Sequence, residues 1–483
     1  MSLKPPDPQT VVIFGATGDL TARKLMPALY NLYTQELLPD GFAIIGYARS
    51  EMSSEQFREG TRVNIEKHSR TGLDHRLWEG FASHLSYVRG EFSSERAMNH
   101  LAGHLQEAGR DFGCEGCRFF YCATPPSALP MIAKRLGEEG LRRGSRIVVE
   151  KPLGHDPVSA RALNRALHEV FEEDQIYRID HYLGKETVQN ILVFRFSNGM
   201  FEPIWNRRYV SRVEIDVAEE IGIEGRGRFY EEAGAIRDIV QNHMMQLLAL
   251  ATMEPPSSFH SEAIRDEKIK LLRSVPPVRR RERDLVRGQY VAGVVRGVLV
   301  PGYREEPDVA PDSTTETFVA MRFRIENWRW AGVPFFLRTG KRLSRACTQV
   351  TVVFHNAPHM LFEQSGLALP QPNHLEIRIQ PNEGISLSFA AKRPGPEMRV
   401  APVKMDFDYE ESFMTEPAEA YERLLHDVMV GDKTLFMRAD EIERAWEIVE
   451  PVLEQMPPEP YFAGSWGPEG AKELIAPGQW HLR

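Results

Sequence analysis

Long apolar runs are missing from this chain. No stretch of about 18 apolar residues occurs along its 483 positions, so a membrane-spanning helix is not expected. Cysteine is scarce too. Cys114, Cys117, Cys122 and Cys347 are too few for a disulfide framework. Cys114-Glu-Gly-Cys117 has the C-x-x-C spacing of a redox or half-zinc site, but no second such pair or nearby histidine pair completes it. It reads as loop chemistry, and no metal is expected. An excess of positive charge is also lacking. The net charge of −9 argues against nucleic acid as a partner, and the one basic run, Arg279-Arg280-Arg281-Glu282-Arg283, reads as solvated surface. An anionic small substrate is still compatible with that balance if its cleft is locally basic. The first ten residues have no basic segment followed by an apolar one, so no signal peptide is expected and the cytoplasm is the expected compartment. There is no internal repeat and no long disordered linker.

What is present is ordinary globular material. With 42% hydrophobic and 26% charged residues the chain has ample apolar side chains for a core. At roughly 150 residues per domain, two or three domains are expected. The first part alternates short β runs with helical stretches. Thr10–Phe14, Phe42–Gly46, Arg118–Cys122 and Arg146–Glu150 read as strands, and Leu20 to Leu37 has helical periodicity. Strands separated by helices imply βαβ units and a parallel, Rossmann-like sheet. After about residue 180 the pattern becomes β-branched and aromatic at Arg208–Ala218, Glu316–Ile325, Gln349–Phe354, Leu375–Gln380 and Ile385–Phe389. That predicts a large, mainly antiparallel sheet flanked by helices such as Ala235–Leu250 and Glu419–Val430. The expected architecture is a dinucleotide-binding α/β domain over residues 1–178 and an α+β substrate-binding and oligomerisation domain over 179–483. The cleft between them is the natural place for chemistry.

The first strand runs directly into Gly15-Ala-Thr-Gly18-Asp19-Leu20 and then a helix. Glycines at such a turn let backbone N–H groups approach a pyrophosphate, and the helix N-terminus adds partial positive charge. The spacing is G-x-x-G rather than the full G-x-G-x-x-G, so its place after the first strand carries the signal. The second strand ends in Gly46-Tyr-Ala-Arg49-Ser50, with no acidic residue before Glu51. An acidic residue there binds a ribose 2′-hydroxyl, whereas an arginine suits a 2′-phosphate, so Arg49 favours NADP.

Three further segments concentrate chemistry. Glu150-Lys151-Pro152-Leu153-Gly154 follows the fourth strand, where ligands of parallel sheets bind. Arg178-Ile-Asp180-His181-Tyr182-Leu-Gly-Lys185-Glu186 packs a carboxylate, an imidazole, a phenol and an ammonium together, and His181, Tyr182 and Lys185 could hold a phosphate. The third segment runs from Glu224-Gly-Arg-Gly227 through Asp238 to Gln241-Asn242-His243, with His243 on an amphipathic helix between Ile239 and Leu247. Each has a bland alternative: a core histidine, a capping Asp180, a surface Lys151. Together they make an alcohol-oxidation set of a carboxylate–imidazole pair, cationic anchors and a dinucleotide loop.

These runs, in order with Arg338-Thr-Gly340-Lys341-Arg342-Leu343, Gln380-Pro-Asn-Glu383, Tyr421-Glu-Arg-Leu-Leu and Gly431-Asp-Lys-Thr-Leu-Phe, resemble the landmarks of glucose-6-phosphate dehydrogenases from residue 11 to about 446. The resemblance implies oxidation of glucose 6-phosphate at C1 with NADP, as a homodimer or homotetramer. It implies His243 as general base oriented by Asp180, and His181, Tyr182 and Lys185 on the sugar phosphate. Lys151, Glu219, Asp238 and Lys341 would hold the sugar. Gly15, Thr17, Gly18, Asp19, Leu20, Arg49 and Lys151 would form the NADP site. The family usually has a second phosphate-binding cation five residues after Lys341. Here that position is Ala346, and Arg345 is the adjacent substitute. Competing readings are a related sugar or NAD-preferring dehydrogenase, a non-catalytic NADP-binding regulator, and a C-x-x-C redox protein.

Overall fold

Short runs of Val, Ile, Phe and Tyr between turn residues make strands that are buried on both faces, as a parallel sheet covered by helices requires. A computed structural model describes residues 6–278, 284–359, 372–413, 418–454 and 456–482, so the basic run at 279–283 lies outside the described residues. The chain forms two units. One comprises residues 1–185, 257–265 and 418–443, and the other 186–256, 266–417 and 444–483.

The first unit is built on β1 (Gln9–Phe14), β2 (Phe42–Ala48), β3 (Leu85–Arg89), β4 (Arg118–Cys122), β5 (Ser145–Val149) and β6 (Ile176–Ile179), all parallel. Their order across the sheet is β6-β5-β4-β1-β2-β3, so the direction of winding reverses between β1 and β4. Such a reversal opens a crevice at the carboxyl ends of the strands. A seventh, antiparallel strand of two residues, Phe436–Met437, covers the outer edge of β6. The helices are capped locally. Ser53 and Gln56 form a capping box for helix Ser54–His68, and Asp156 caps Pro157–His168, with Pro157 in the first turn, where its missing N–H costs nothing. The expected long helix from Leu20 is shorter and wider at its start. Thr21–Leu25 is a π-helical turn, and the α-helix proper is Met26–Thr34.

The second unit holds β7 (Val210–Ala218), β8 (Leu285–Val291), the hairpin β9 (Gly293–Val295) and β10 (Val298–Val300), and then β11 (Phe318–Arg324), β12 (Pro334–Gly340), β13 (Cys347–Phe354), β14 (His374–Gln380), β15 (Gly384–Lys392) and β16 (Val400–Asp408). The main sheet has the order β16-β15-β14-β13-β7-β12-β11-β8, closed by the strand Glu459–Phe462. It is antiparallel except where β12 meets β7 and where Glu459–Phe462 meets β8. β14 alternates buried and partly exposed residues, as a sheet with one covered face predicts. Helix Glu186–Phe196 packs on β14 and on helix Met245–Thr252. The core at the other end is aromatic, with Tyr230, Tyr290, Tyr303, Phe318, Phe336, Tyr461 and Trp480 in one cluster. The α/β plus α+β architecture expected from the pattern is the one formed. No helix among the described residues is long and apolar enough to cross a membrane.

Candidate active site

The nucleotide loop is shaped by its backbone. Gly15 sits at φ +84°, and its N–H donates to the Tyr47 carbonyl at 2.9 Å. The Gly15 carbonyl then accepts from Gly18 N–H at 2.9 Å and from the Thr21 hydroxyl at 3.1 Å, closing a tight turn. A Cβ at Gly15 would stand 2.2 Å from the Ala123 carbonyl oxygen, so only glycine lets the turn lie against the end of β4. Thr17 and Asp19 are exposed at the tip, with Gly18 and Leu20 half-buried beneath them. The loop thus meets the switch point between β1 and β4 and leaves its tip open to a dinucleotide. At the end of β2, Arg49 is exposed and makes no ion pair with any described residue, whereas Glu51 is engaged by Arg89 at 3.2 Å.

β5 and β6 are parallel neighbours, so Lys151 and Asp180 leave the same edge of the sheet. Asp180 is 1% exposed and accepts the Tyr182 N–H at 2.9 Å, while Leu183, Gly184 and Lys185 N–H groups close successive turns onto residues 180–182. The His181 ring meets Tyr182 edge-on at 5.2 Å and stacks parallel to Tyr421 at 6.4 Å, and the Lys185 ammonium lies 5.1 Å over the Tyr182 ring. Behind them, the Glu150 carboxylate accepts from the hydroxyls of Tyr121 at 2.5 Å and Tyr421 at 3.2 Å. Burial pushes the Glu150 carboxyl up despite the two phenols. β6 is fastened by an ion pair inside the unit: fully buried Arg178 donates to Glu173 at 2.7 Å, with His168 and Arg265 on the same carboxylate. Burial raises the Glu173 carboxyl, but Arg178 and its neighbours hold it below the usual range.

In the second unit the parallel pair β7–β12 matters most. Ala218 and Gly340 are paired at its end, so the next residues, Glu219 and Lys341, emerge side by side. Lys341 is 2% exposed, ion-paired to Glu219 and 5.6 Å over the Tyr230 ring. Burial, with the charges of Asp238 and Glu219 close by, pushes the Tyr230 phenol far up. Lys341 therefore lies over this phenol with Glu219 on its ammonium. Asp238 and His243 share a helix that packs against β7 and β12. It is not the α-helix expected from its periodicity. Ile236–Met244 is wound as a π-helix and only Met245–Thr252 is α. The i→i+5 bonding of that winding puts Asp238 and His243 one turn apart along the axis. His243 is 1% exposed. Glu316 caps the helix: its carbonyl accepts from Ala235 N–H at 3.1 Å and its carboxylate from Ile236 N–H at 3.2 Å. Arg345 is exposed, with its guanidinium 5.9 Å over the Trp466 ring.

Two family models match this chain almost end to end. Residues 12–190 match the NAD binding domain of glucose-6-phosphate dehydrogenase, and residues 192–481 its C-terminal domain. The chain belongs to the glucose-6-phosphate dehydrogenase family. It is 48% identical over 476 residues to the glucose-6-phosphate 1-dehydrogenase of Aggregatibacter actinomycetemcomitans, covering 96% of this chain and 95% of that one. The crystal structure of a glucose-6-phosphate 1-dehydrogenase from Mycobacterium avium shares its fold at TM-score 0.87 and 38% identity, covering 100% and 99% of the two chains. A glucose-6-phosphate dehydrogenase solved in complex with glucose 6-phosphate superposes at TM-score 0.91 and 35% identity, with 100% of both chains covered. As a family member the chain carries a nicotinamide-dinucleotide-binding domain and is an oxidoreductase of carbohydrate metabolism.

Four residues beside these candidates were given no role by the sequence pattern: Glu150 and Tyr421 in the first unit, and Tyr230 and Glu316 in the second. Glu150 adjoins Lys151, which was a signal. Tyr421 lies 271 residues from its partner Glu150, and no local spacing announces that meeting. The C-x-x-C pair has no redox geometry, because Cys114 is buried, bonded to the Thr10 hydroxyl at 3.3 Å, and only Cys117 is exposed.

Proposed function

We propose that the chain is an NADP-dependent glucose-6-phosphate 1-dehydrogenase, oxidising the C1 hydroxyl of the sugar to give 6-phosphoglucono-δ-lactone. The observation that carries this reading is the full-length match to a solved relative with glucose 6-phosphate bound, joined to this chain's own anionic-sugar kit at 180–185 and 341. The family's cofactor fits the residues present. Gly15 lets the turn lie against the end of β4, Thr17 and Asp19 stand exposed at its tip with Gly18 and Leu20 beneath, and Lys151 follows the end of β5, two strands away from β1 on the same sheet. Arg49, with no ion pair to any described residue, suits a 2′-phosphate. Bound NADP supplies the hydride acceptor.

The protein's part is positioning and proton transfer. His243 takes the proton from the C1 hydroxyl, and Asp180 orients the imidazole and stabilises its cationic form. Lys151, Glu219, Asp238 and Lys341 hold the sugar so that C1 stays in register. His181, Tyr182 and Lys185, with Arg345, grip the phosphate. In this division residues 1–178 serve the dinucleotide and 179–483 the sugar.

The deciding assay follows the absorbance of reduced nicotinamide with glucose 6-phosphate and either NADP or NAD. Fast reduction of NADP is expected, and Arg49→Ala should lower kcat/KM for NADP by roughly 10- to 100-fold while leaving NAD unchanged, the worth of one charge-assisted contact. Equal loss with both cofactors would remove the 2′-phosphate role, and no reduction with either would remove the activity.

The phosphate grip has its own test. Arg345→Ala is expected to raise the KM for glucose 6-phosphate about tenfold with kcat unchanged, since a lost hydrogen bond to a charged group is worth about 1.5–3 kcal/mol and release from Trp466 offsets part of it. An unchanged KM would take Arg345 out of the site. The helix cap can be probed at Gly234, which sits at φ +60°, ψ 179°, with Glu316 Oε1 2.6 Å from where a Cβ would stand. Gly234→Ala must displace the capping carboxylate, and a loss of roughly 10- to 100-fold in kcat is expected from a misplacement of about 1 Å at His243. Wild-type turnover in that variant would mean the cap does not position the helix.

A further inference from the structure

The sheet of the nucleotide unit has a second feature at its opposite edge. Thr10, the second residue of β1, pairs with Arg118, the first of β4, so the two mark the amino-terminal ends of the strands whose carboxyl ends meet the Gly15 loop. A cavity of about 300 Å³ opens there, lined by Thr10, Gln106, Arg110, Glu115, Cys117 and Arg118 together with Leu105 and the buried Cys114. A six-residue strand spans roughly 17–20 Å, which separates this cavity from the nucleotide loop by far more than one ligand's reach.

The charges of the cavity do not balance internally. Arg118 is half-buried, and neither it nor Arg110 makes a hydrogen bond or ion pair through its side chain with any described residue. Almost every other partly buried arginine in this unit has a carboxylate or carbonyl partner: Arg70 on Glu422, Arg146 on the Val428 and Met429 carbonyls, Arg178 on Glu173. Burial depresses the Arg118 guanidinium, the sign of a cation that has lost water without gaining an anion. Glu115, the one carboxylate among the lining residues, packs its Cγ over Gly109 and pairs with neither arginine. A guanidinium presents a planar fork of donors that suits a carboxylate or a phosphoryl group, and two of them line this one concavity.

We propose that this cavity is a binding site for a small oxyanion, a compound with a phosphoryl or carboxylate group on a short chain, held between Arg110 and Arg118 and separate from the dinucleotide and sugar sites. The site is independent of the activity assigned above. Its occupant would tie the helix Glu95–Asp111 to the start of β4, across the loop that carries Cys117.

Cys117 provides a local readout, since the other three cysteines are buried. The full-length protein is alkylated with iodoacetamide, which is uncharged, and the rate at Cys117 is followed by peptide mass spectrometry. One arm contains inorganic pyrophosphate, one citrate, and one potassium chloride at matched ionic strength. A saturable slowing of at least fivefold by pyrophosphate, by citrate or by both is expected, relative to the chloride arm, and the effective anion names the group that binds. Arg118→Gln and Arg110→Gln should each abolish the ratio between anion and chloride arms without changing sugar oxidation. Arg110 is exposed on a helix surface, so its variant keeps the test valid if Arg118→Gln folds poorly. No slowing beyond chloride, or slowing that persists in the Arg110 variant, overturns the proposal.

Discussion

Replacing His243 with asparagine is expected to lower kcat for glucose 6-phosphate oxidation by roughly 10²- to 10⁴-fold, the usual worth of a positioned general base. The substitution is chosen to spare everything else. His243 is 1% exposed among Ile239, Val240 and Leu247, all buried, and asparagine leaves a polar group of smaller volume on the same helix. The sugar contacts proposed for Lys341 and Glu219 are untouched, because they rest on the β7–β12 pair and on Tyr230, and Asp238 stands five residues before the substitution on the same helix. Sugar binding, measured by quenching or calorimetry, should therefore stay within about threefold of wild type, while turnover collapses. A loss of that form is transition-state loss rather than weaker binding. Asparagine at 243 with wild-type turnover would mean that another group takes the C1 proton, and the roles given to His243 and Asp180 would both fall.

The second large effect is expected at Gly15. Alanine there must accept φ +84°, which costs roughly 1–2 kcal/mol for a residue with a side chain, and must also push its Cβ away from the Ala123 carbonyl oxygen 2.2 Å off. The obstacle is backbone, so no side-chain rotation relieves it. The turn can only open by moving β1 from the end of β4, where Ala123 N–H donates to the Phe14 carbonyl at 2.9 Å. Gly15→Ala should lower the thermal midpoint by roughly 5–10 °C on the basis of about 2–4 °C per kcal/mol for a unit of this size. It should also weaken NADP binding at least tenfold, because the N–H groups of the turn lose their aim. The two readouts separate two ideas. A lower midpoint with unchanged NADP affinity would leave Gly15 as a packing residue and remove the loop from the nucleotide site.

How far the residues announced this molecule varies by element. The strands of the nucleotide sheet with unbroken apolar runs were legible, and so was the loop after the first. β6 was not, because Arg178 in its middle looks like surface and becomes buried only by finding Glu173. β16 carries Pro402, Lys404 and Asp406 and lies at a sheet edge, where proline and charge are tolerated and the alternating signal is weakest. β8 and β12 interrupt their apolar residues with Arg, Gln and Gly whose partners come from distant loops, such as Arg287 on the Glu454 and Val452 carbonyls. The segment from Ala235 reads as α-helix by period, yet Gly234 and the Glu316 cap wind its first nine residues as a π-helix; that is a tertiary effect with no local signature. In the site, the residues with chemistry of their own were visible, while the phenols of Tyr121, Tyr230 and Tyr421 acquire meaning only through neighbours far away in the chain.

The two-residue strand Phe436–Met437 has a consequence for how the molecule is made. It supplies the outermost neighbour of β6, pairing Phe436 with Ile179 and Met437 with Arg178. When the ribosome has released the six parallel strands, that neighbour is still about 250 residues from being synthesised. At about 5–20 residues per second the nascent nucleotide unit waits roughly ten to fifty seconds with the rim of β6 bare. Open strand rims are templates for pairing with other chains. The helix Ala420–Val430 and the Lys433 ammonium on the Glu173 carbonyl arrive in the same late stretch. A ribosome that stalls in the second half of the message therefore leaves a half-finished sheet, and nascent chains arrested there should recruit holding chaperones that the completed protein does not need.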